Sequence, residues 1–195
     1  MNFVEPIRDL DVLENMCSYL KKTSERDHIL FMMGIYTGLR ISDILKLRIY
    51  NLVDIKKNKN GKDEKIVKRQ IVLREKKTGK QKFIEINPIL KNAIKEYVKD
   101  KDPDDFLIKS QKNYNRPISR ERAYIILKDL GEMFDVPYLG THSMRKTWGY
   151  HYYKQTKDIA LLQKIFNHSS PAVTLHYIGI DQDRMNKAYK NFKYF

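Results

Sequence analysis

One cysteine, Cys17, is all that a chain of 195 residues offers in thiol chemistry. That excludes a disulfide framework and any zinc site built on cysteines. Long apolar runs are missing too: no stretch of about eighteen such residues occurs, so no segment reads as a membrane span. The opening MNFVEPIRDLDVLENM lacks the basic-then-apolar order of a secretory leader, and cytoplasmic residence is the expectation. Neither a lipidation signal nor one amphipathic helix that collects the lysines points to a membrane surface. Acidic side chains are in deficit. Lys plus Arg number 38 against 24 Asp plus Glu, a formal net charge of +14, which is the footprint of a nucleic-acid binder.

What is present suits a single globular domain. Hydrophobic residues make up 42%, with eight Phe, and the length allows one well-buried core. Leu10, Leu13, Cys17 and Leu20 recur at helical spacing and predict a helix over Leu10 to Lys22. The next, from about Ser24 to Tyr36, is apolar nearly all round and reads as a central buried helix. Gly38 permits a sharp break before a third helix through ISDILKL. The texture between Ile49 and Ile86 is β. RQIVLREKKTGKQKFIEI holds two strand-like runs around Thr78-Gly79, while KKNKNGKDEK ahead of it reads as a solvated, mobile loop. Asn87-Pro88 caps a helix through PILKNAIKEYVKD. Further helices are expected over about Ser119 to Phe134, Thr141 to Lys154, Asp158 to Phe166, Pro171 to Tyr177 and Gln182 to Asn191. The fold class that follows is α+β and mostly helical, with a small antiparallel three-stranded sheet.

Three stretches carry residue types suited to one chemistry. TGLRISDILKL puts Arg40 at a helix start, where free amides favour anions. GTHSMRKTW sets His142 and Arg145 three apart on one helical face, with Thr141 as the expected cap. FNHSSPAVTLHYIGI places His168 at a helix end and Tyr177 at the close of the next short helix. Forked guanidinium donors match the charge that develops on a phosphodiester as it is cleaved, so Arg40 and Arg145 supply what other enzymes draw from a metal. No cluster of ligand residues suggests a metal or other cofactor. A phenol with a pKa of about 10 needs its proton accepted before it attacks, and histidines serve.

These boxes, in this order and at these separations, resemble those of the tyrosine recombinases, the family of phage and transposon integrases and chromosome-dimer-resolving recombinases. The resemblance runs from about residue 5 to the end. It implies a site-specific DNA recombinase or integrase that cleaves and rejoins double-stranded DNA through a 3′-phosphotyrosyl link, without metal or ATP. It assigns Arg40 and Arg145 to the scissile phosphate and Lys77 to protonation of the departing 5′ oxygen, with Lys76 and Lys80 as rivals. It makes His142 an acid or base near Tyr177, has His168 hydrogen-bond the phosphate, and makes Tyr177 the nucleophile. Asp43 takes a position usually acidic in the family, where it braces the site. Self-association on DNA into a tetrameric synapse is also implied, with the tail helix over about 182–192 docking either on its own domain or on a neighbour.

The chain departs from the family pattern at Phe166-Asn167, where Leu-Gly is common, and at Lys146-Thr147-Trp148, where His-Thr-Phe is frequent. It is read as one catalytic domain over 1–195, without the family's N-terminal core-binding domain, and either a fragment or a compact recombinase. Two other functions share these residues: a non-catalytic DNA-binding regulator on the same fold, and a tyrosine-using DNA-relaxing topoisomerase.

Overall fold

A computed structural model describes residues 4–74, 79, 81–112 and 114–194. Two helices open the chain, α1 (Leu10–Thr23) and α2 (Glu25–Thr37), with Ser24 between them. Ser24 ends the first through its backbone N–H and caps the second, its hydroxyl accepting the Asp27 amide at 3.3 Å. As its sequence predicts, α2 is the centre of the core: Ile29, Leu30, Phe31 and Met33 are wholly buried. It packs against α1, α4 (Pro88–Val98) and α6 (Ser143–Thr156).

The crossing of α2 and α6 is close because Gly34 has no side chain. A Cβ there would lie 2.6 Å from Cβ of Met144. That atom is rooted on a helix backbone, so relief requires the helices to part. Gly34→Ala is expected to cost about 3 kcal/mol in overpacking, against about 1 kcal/mol gained in helix propensity. A urea melt should show a net loss near 2 kcal/mol; an unchanged midpoint would mean that the crossing is looser than its geometry.

The expected three-stranded sheet is instead two antiparallel ribbons among the described residues. β1 (Val53–Lys57) pairs with β2 (Asp63–Val67), and β3 (Gln70–Arg74) with β4 (Gln81–Glu85). Only Lys68 and Arg69 separate β2 from β3, and their backbone bonds point outward: Lys68 N–H donates to Leu52, and Arg69 C=O accepts from Ile86. Each ribbon therefore closes on its own partner. KKNKNGKDEK, expected to be a loop, supplies most of the first ribbon and its turn. Asn58 Oδ1 accepts the amides of Asn60 and Lys62 at 2.9 and 3.0 Å, and Gly61 takes φ +74°. Of β1 only Val53 is buried, and of β2 only Val67, so these strands have almost no apolar alternation to read.

The third helix, α3 (Ile41–Ile44), is shorter than expected. After α5 (Arg120–Met133) and α6 come α7 (Ile159–Phe166), α8 (Pro171–Tyr177) and α9 (Ile180–Asn191). A second core of Tyr150, Leu162, Phe166, Ile178 and Ile180 holds these last helices together. The segment before α1 straps across α6. Ile7 N–H donates to the Thr147 hydroxyl at 2.8 Å, and Nε2 of His151 donates to the Ile7 carbonyl at 2.9 Å. Arg8 then reaches Asp183 of α9 at 2.7 Å. Burial, with Asp183 beside it, pushes the Tyr150 phenol up to about 12. Among the described residues no helix is long and apolar enough to cross a membrane.

Candidate active site

Arg145 is the largest side chain in the protein's fully buried set, at 2% exposure. A guanidinium tolerates that only with its donors engaged. One Nη donates to the Gly38 carbonyl and the other to the Phe166 carbonyl, the latter at 3.2 Å. The Phe166 ring lies beneath it, 4.0 Å from Cζ to centroid. Arg145 also hydrogen-bonds the Tyr177 hydroxyl.

Gly38 ends α2 in the left-handed region at φ +60°, and the Thr37 hydroxyl accepts the Leu39 amide at 3.2 Å. Two residues on, Arg40 occupies the N-cap position of α3 in extended backbone. Trp148 packs on Gly38, where a Cβ would meet its ring at 2.9 Å, and stacks on Tyr152 with centroids 5.4 Å apart. The unusual Trp thus covers the turn that delivers Arg40.

Thr141 is not the cap of α6. Ser143 N–H donates to Gly140 C=O and Ser143 Oγ accepts the Gly140 amide at 3.1 Å, so a turn precedes the helix and His142 stands at its N-cap with αR dihedrals. Nδ1 of His142 lies 3.3 Å from the Tyr177 hydroxyl. Burial, then the charges of Arg145, Lys146, Arg120 and Arg40, hold its imidazole below the ordinary value. It is therefore neutral at neutral pH and able to take a proton.

Asn167, in place of the common Gly, adopts φ +54°, which Asn tolerates better than most residues. It turns the chain so that His168 N–H donates to Gln163 C=O at 3.1 Å, while Gln163 Nε2 donates back to the His168 carbonyl at 3.1 Å. Nδ1 of His168 faces the buried Thr174 hydroxyl at 3.1 Å. That hydroxyl donates to Ser170 C=O, so it accepts here, and the proton of the pair sits on Nδ1. The rings of His168 and Phe166 meet Tyr177 edge-on, at 5.0 and 5.7 Å between centroids. Burial raises the Tyr177 pKa, opposed by the charges of Arg145 and Arg40 and by the Arg145 hydrogen bond.

The structure thus gathers Arg40, His142, Arg145, His168 and Tyr177 in one place. Asp43, 4% exposed, is buried in α3, three residues after Arg40. Lys77 and its rivals Lys76 and Lys80 lie outside the described residues; the pairing of Arg74 with Gln81 brackets them. Lys82, on β4, donates to the Ile165 carbonyl at 3.0 Å and ties that ribbon to the end of α7. Sequence reasoning missed Phe166 as the platform under Arg145, Thr174 as the partner of His168, and Lys146, whose Nζ lies 5.2 Å from the Tyr177 ring centroid. The four-residue step from His142 to Lys146 was a usable signal for the last. No group of three or more His, Cys, Asp or Glu side chains gathers as metal ligands among the described residues.

A family model described as the phage integrase family matches residues 8–184. The probable integrase/recombinase YoeC of Bacillus subtilis is 43% identical over 192 residues, 98% of each chain. Tyrosine recombinase XerA of Thermococcus onnurineus is 22% identical over 178 residues, which span 90% of this chain and 58% of that one. In three dimensions the fold is similar to that of the XerH site-specific recombinase in a post-cleavage complex with palindromic difH substrate. There the TM-score is 0.66 at 18% identity, covering 97% of this chain and 54% of that one.

Proposed function

The chain belongs to the phage integrase family of tyrosine recombinases, and from that premise we propose that it cleaves and rejoins double-stranded DNA through Tyr177. The observation that carries this reading is the Tyr177 hydroxyl: 3.3 Å from a neutral His142 and hydrogen-bonded by a buried Arg145. In this scheme His142 accepts the phenolic proton as the oxygen attacks phosphorus. A bond forms from Tyr177 to phosphorus and the bond to the 5′ oxygen breaks. Arg40 and Arg145 hold the non-bridging oxygens as charge accumulates on them. His168, with Nδ1 committed to Thr174, donates from Nε2 once its ring is protonated. Lys77 delivers a proton to the departing 5′ oxygen.

The product is a 3′-phosphotyrosyl ester and a free 5′ hydroxyl. Because the ester keeps the energy of the bond, a 5′ hydroxyl from another strand reverses the step and exchanges strands. Two guanidiniums carry the electrostatic work, so neither metal nor ATP is needed. Exchange between sites requires several protomers, and we place them in a tetrameric synapse on DNA. The apolar residues of the tail, Met185, Tyr189 and Phe192, are 47%, 84% and 65% exposed and supply a face for a neighbouring copy.

The test is covalent capture on nicked duplexes drawn from DNA flanking the protein's own gene. A protein–DNA adduct that survives denaturant is expected. Binding should fall steeply with salt, with a log–log slope of about −0.9 for each phosphate contacted. Salt-sensitive binding with no adduct would favour a non-catalytic regulator; a flat salt response would sink the DNA reading.

A further inference from the structure

Lys146 enters the scheme above only through its charge on His142, yet it is placed against the nucleophile. It follows Arg145 on α6 and is half-buried. Its Nζ lies 5.2 Å from the Tyr177 ring centroid and donates to the Val4 carbonyl at 2.7 Å. A free lysine would swing this charge into solvent, since its stem has four rotatable bonds and ammonium is strongly hydrated. The Val4 carbonyl holds it in place, and the Val4 segment is itself fixed to α6 through Ile7 and Thr147.

We propose that Lys146 is an electrostatic residue of DNA cleavage: anchored on Val4, its ammonium stabilises the negative charge that spreads into the Tyr177 ring as the proton leaves. This rests on the reading of Tyr177 as nucleophile. A cation near an aromatic ring is weakly attracted to the neutral phenol and strongly attracted to the phenolate. The interaction therefore grows along the reaction, as a rate-enhancing one must. Burial lowers the Lys146 pKa, Glu5 opposes that, and Arg8 adds to it. The cation is consequently present in acid and neutral solution and is lost earlier on the alkaline side than an exposed lysine's. The other groups facing Tyr177 are His142 and Arg145 from α6, His168 from the turn before α8, and Arg40 from the start of α3. Of these, His142 is held below the ordinary imidazole value by burial first and then by the charges of Arg145, Lys146, Arg120 and Arg40.

The experiment is single-turnover cleavage of nicked duplexes across a pH series, with Lys146→Gln and Lys146→Arg beside the unaltered protein. Glutamine, one methylene shorter, keeps an N–H donor for the Val4 carbonyl and removes the charge. Lys146→Gln should cleave about tenfold more slowly at neutral pH, with the gap to the unaltered protein closing on the alkaline side, where Lys146 itself gives up its charge, and with DNA affinity within a few fold. Lys146→Arg should restore the rate. The proposal is overturned if the rate is unchanged, if it falls equally at every pH, or if lost DNA affinity accounts for the whole effect. Tyr177→Phe, run in parallel, separates the two levels. An adduct that persists in it removes the nucleophile assignment and this proposal together, whereas an adduct lost in it but indifferent to Lys146 removes this proposal alone.

Discussion

Tyr177→Phe is expected to abolish the denaturant-resistant adduct while leaving DNA affinity within a few fold. The substitution deletes one oxygen. It keeps the ring that packs edge-on against His168 and Phe166, so the site's shape survives. What disappears is the atom 3.3 Å from His142 Nδ1, and no side chain substitutes for it as a nucleophile at that point. Rescue by another of the thirteen tyrosines would require it to reach the same phosphate between the same arginines. Adduct formation should therefore fall below detection rather than drop by a factor. An adduct retained in the variant would reassign the nucleophile.

The second large effect is at Arg145. Removing a transition-state donor costs on the order of 100- to 1000-fold in rate, and Arg145→Ala should slow cleavage by that much. Stability should suffer as well. The carbonyls of Gly38 and Phe166 lose their guanidinium donors inside the protein, at about 1–3 kcal/mol for each acceptor left unsatisfied. The two losses must be separated, and Arg145→Lys does that. One ammonium bonds to a buried carbonyl and limits the destabilisation, but it lacks the planar fork that holds two phosphate oxygens. A lysine variant that melts near the unaltered protein and still cleaves about 100-fold more slowly isolates the catalytic part. A folded variant with an unchanged rate would refute the clamp.

Several helix starts were readable because they carry a local chemical marker. Ser24, Asn87-Pro88, Ser119 and Ser170-Pro171 all cap or open the helices their positions suggested. The first β-ribbon was not readable, because its solvent-facing lysines and acids mask a strand whose only buried anchors are Val53 and Val67. Thr141 failed as a cap because the Gly140–Ser143 turn, closed by a backbone bond and by the Ser143 hydroxyl, moves the N-cap one step on to His142. In the site, residue types and order indicated which side chains matter. They could not show that Phe166 from α7 floors Arg145 from α6, or that Lys146 overlies a ring from α8. Those contacts join segments distant in the chain and exist only once the second core has formed. The Phe166-Asn167 departure illustrates the limit. In sequence it is an irregularity, whereas in the fold it is an aromatic floor followed by a left-handed turn.

The last turn of α7 reaches two side chains of the site and the β3–β4 ribbon with three neighbouring residues. The Ile165 carbonyl holds Lys82 and with it the β3–β4 ribbon; the Phe166 carbonyl holds Arg145; Gln163, through backbone and side chain, holds His168. A shift of that turn unseats all three together. For an enzyme that breaks a DNA strand and must reseal it, the dangerous state is a half-assembled one, able to cut but not to close. Wiring the ribbon, the arginine and the histidine to one point makes such intermediates scarce, so the scissors are either complete or blunt.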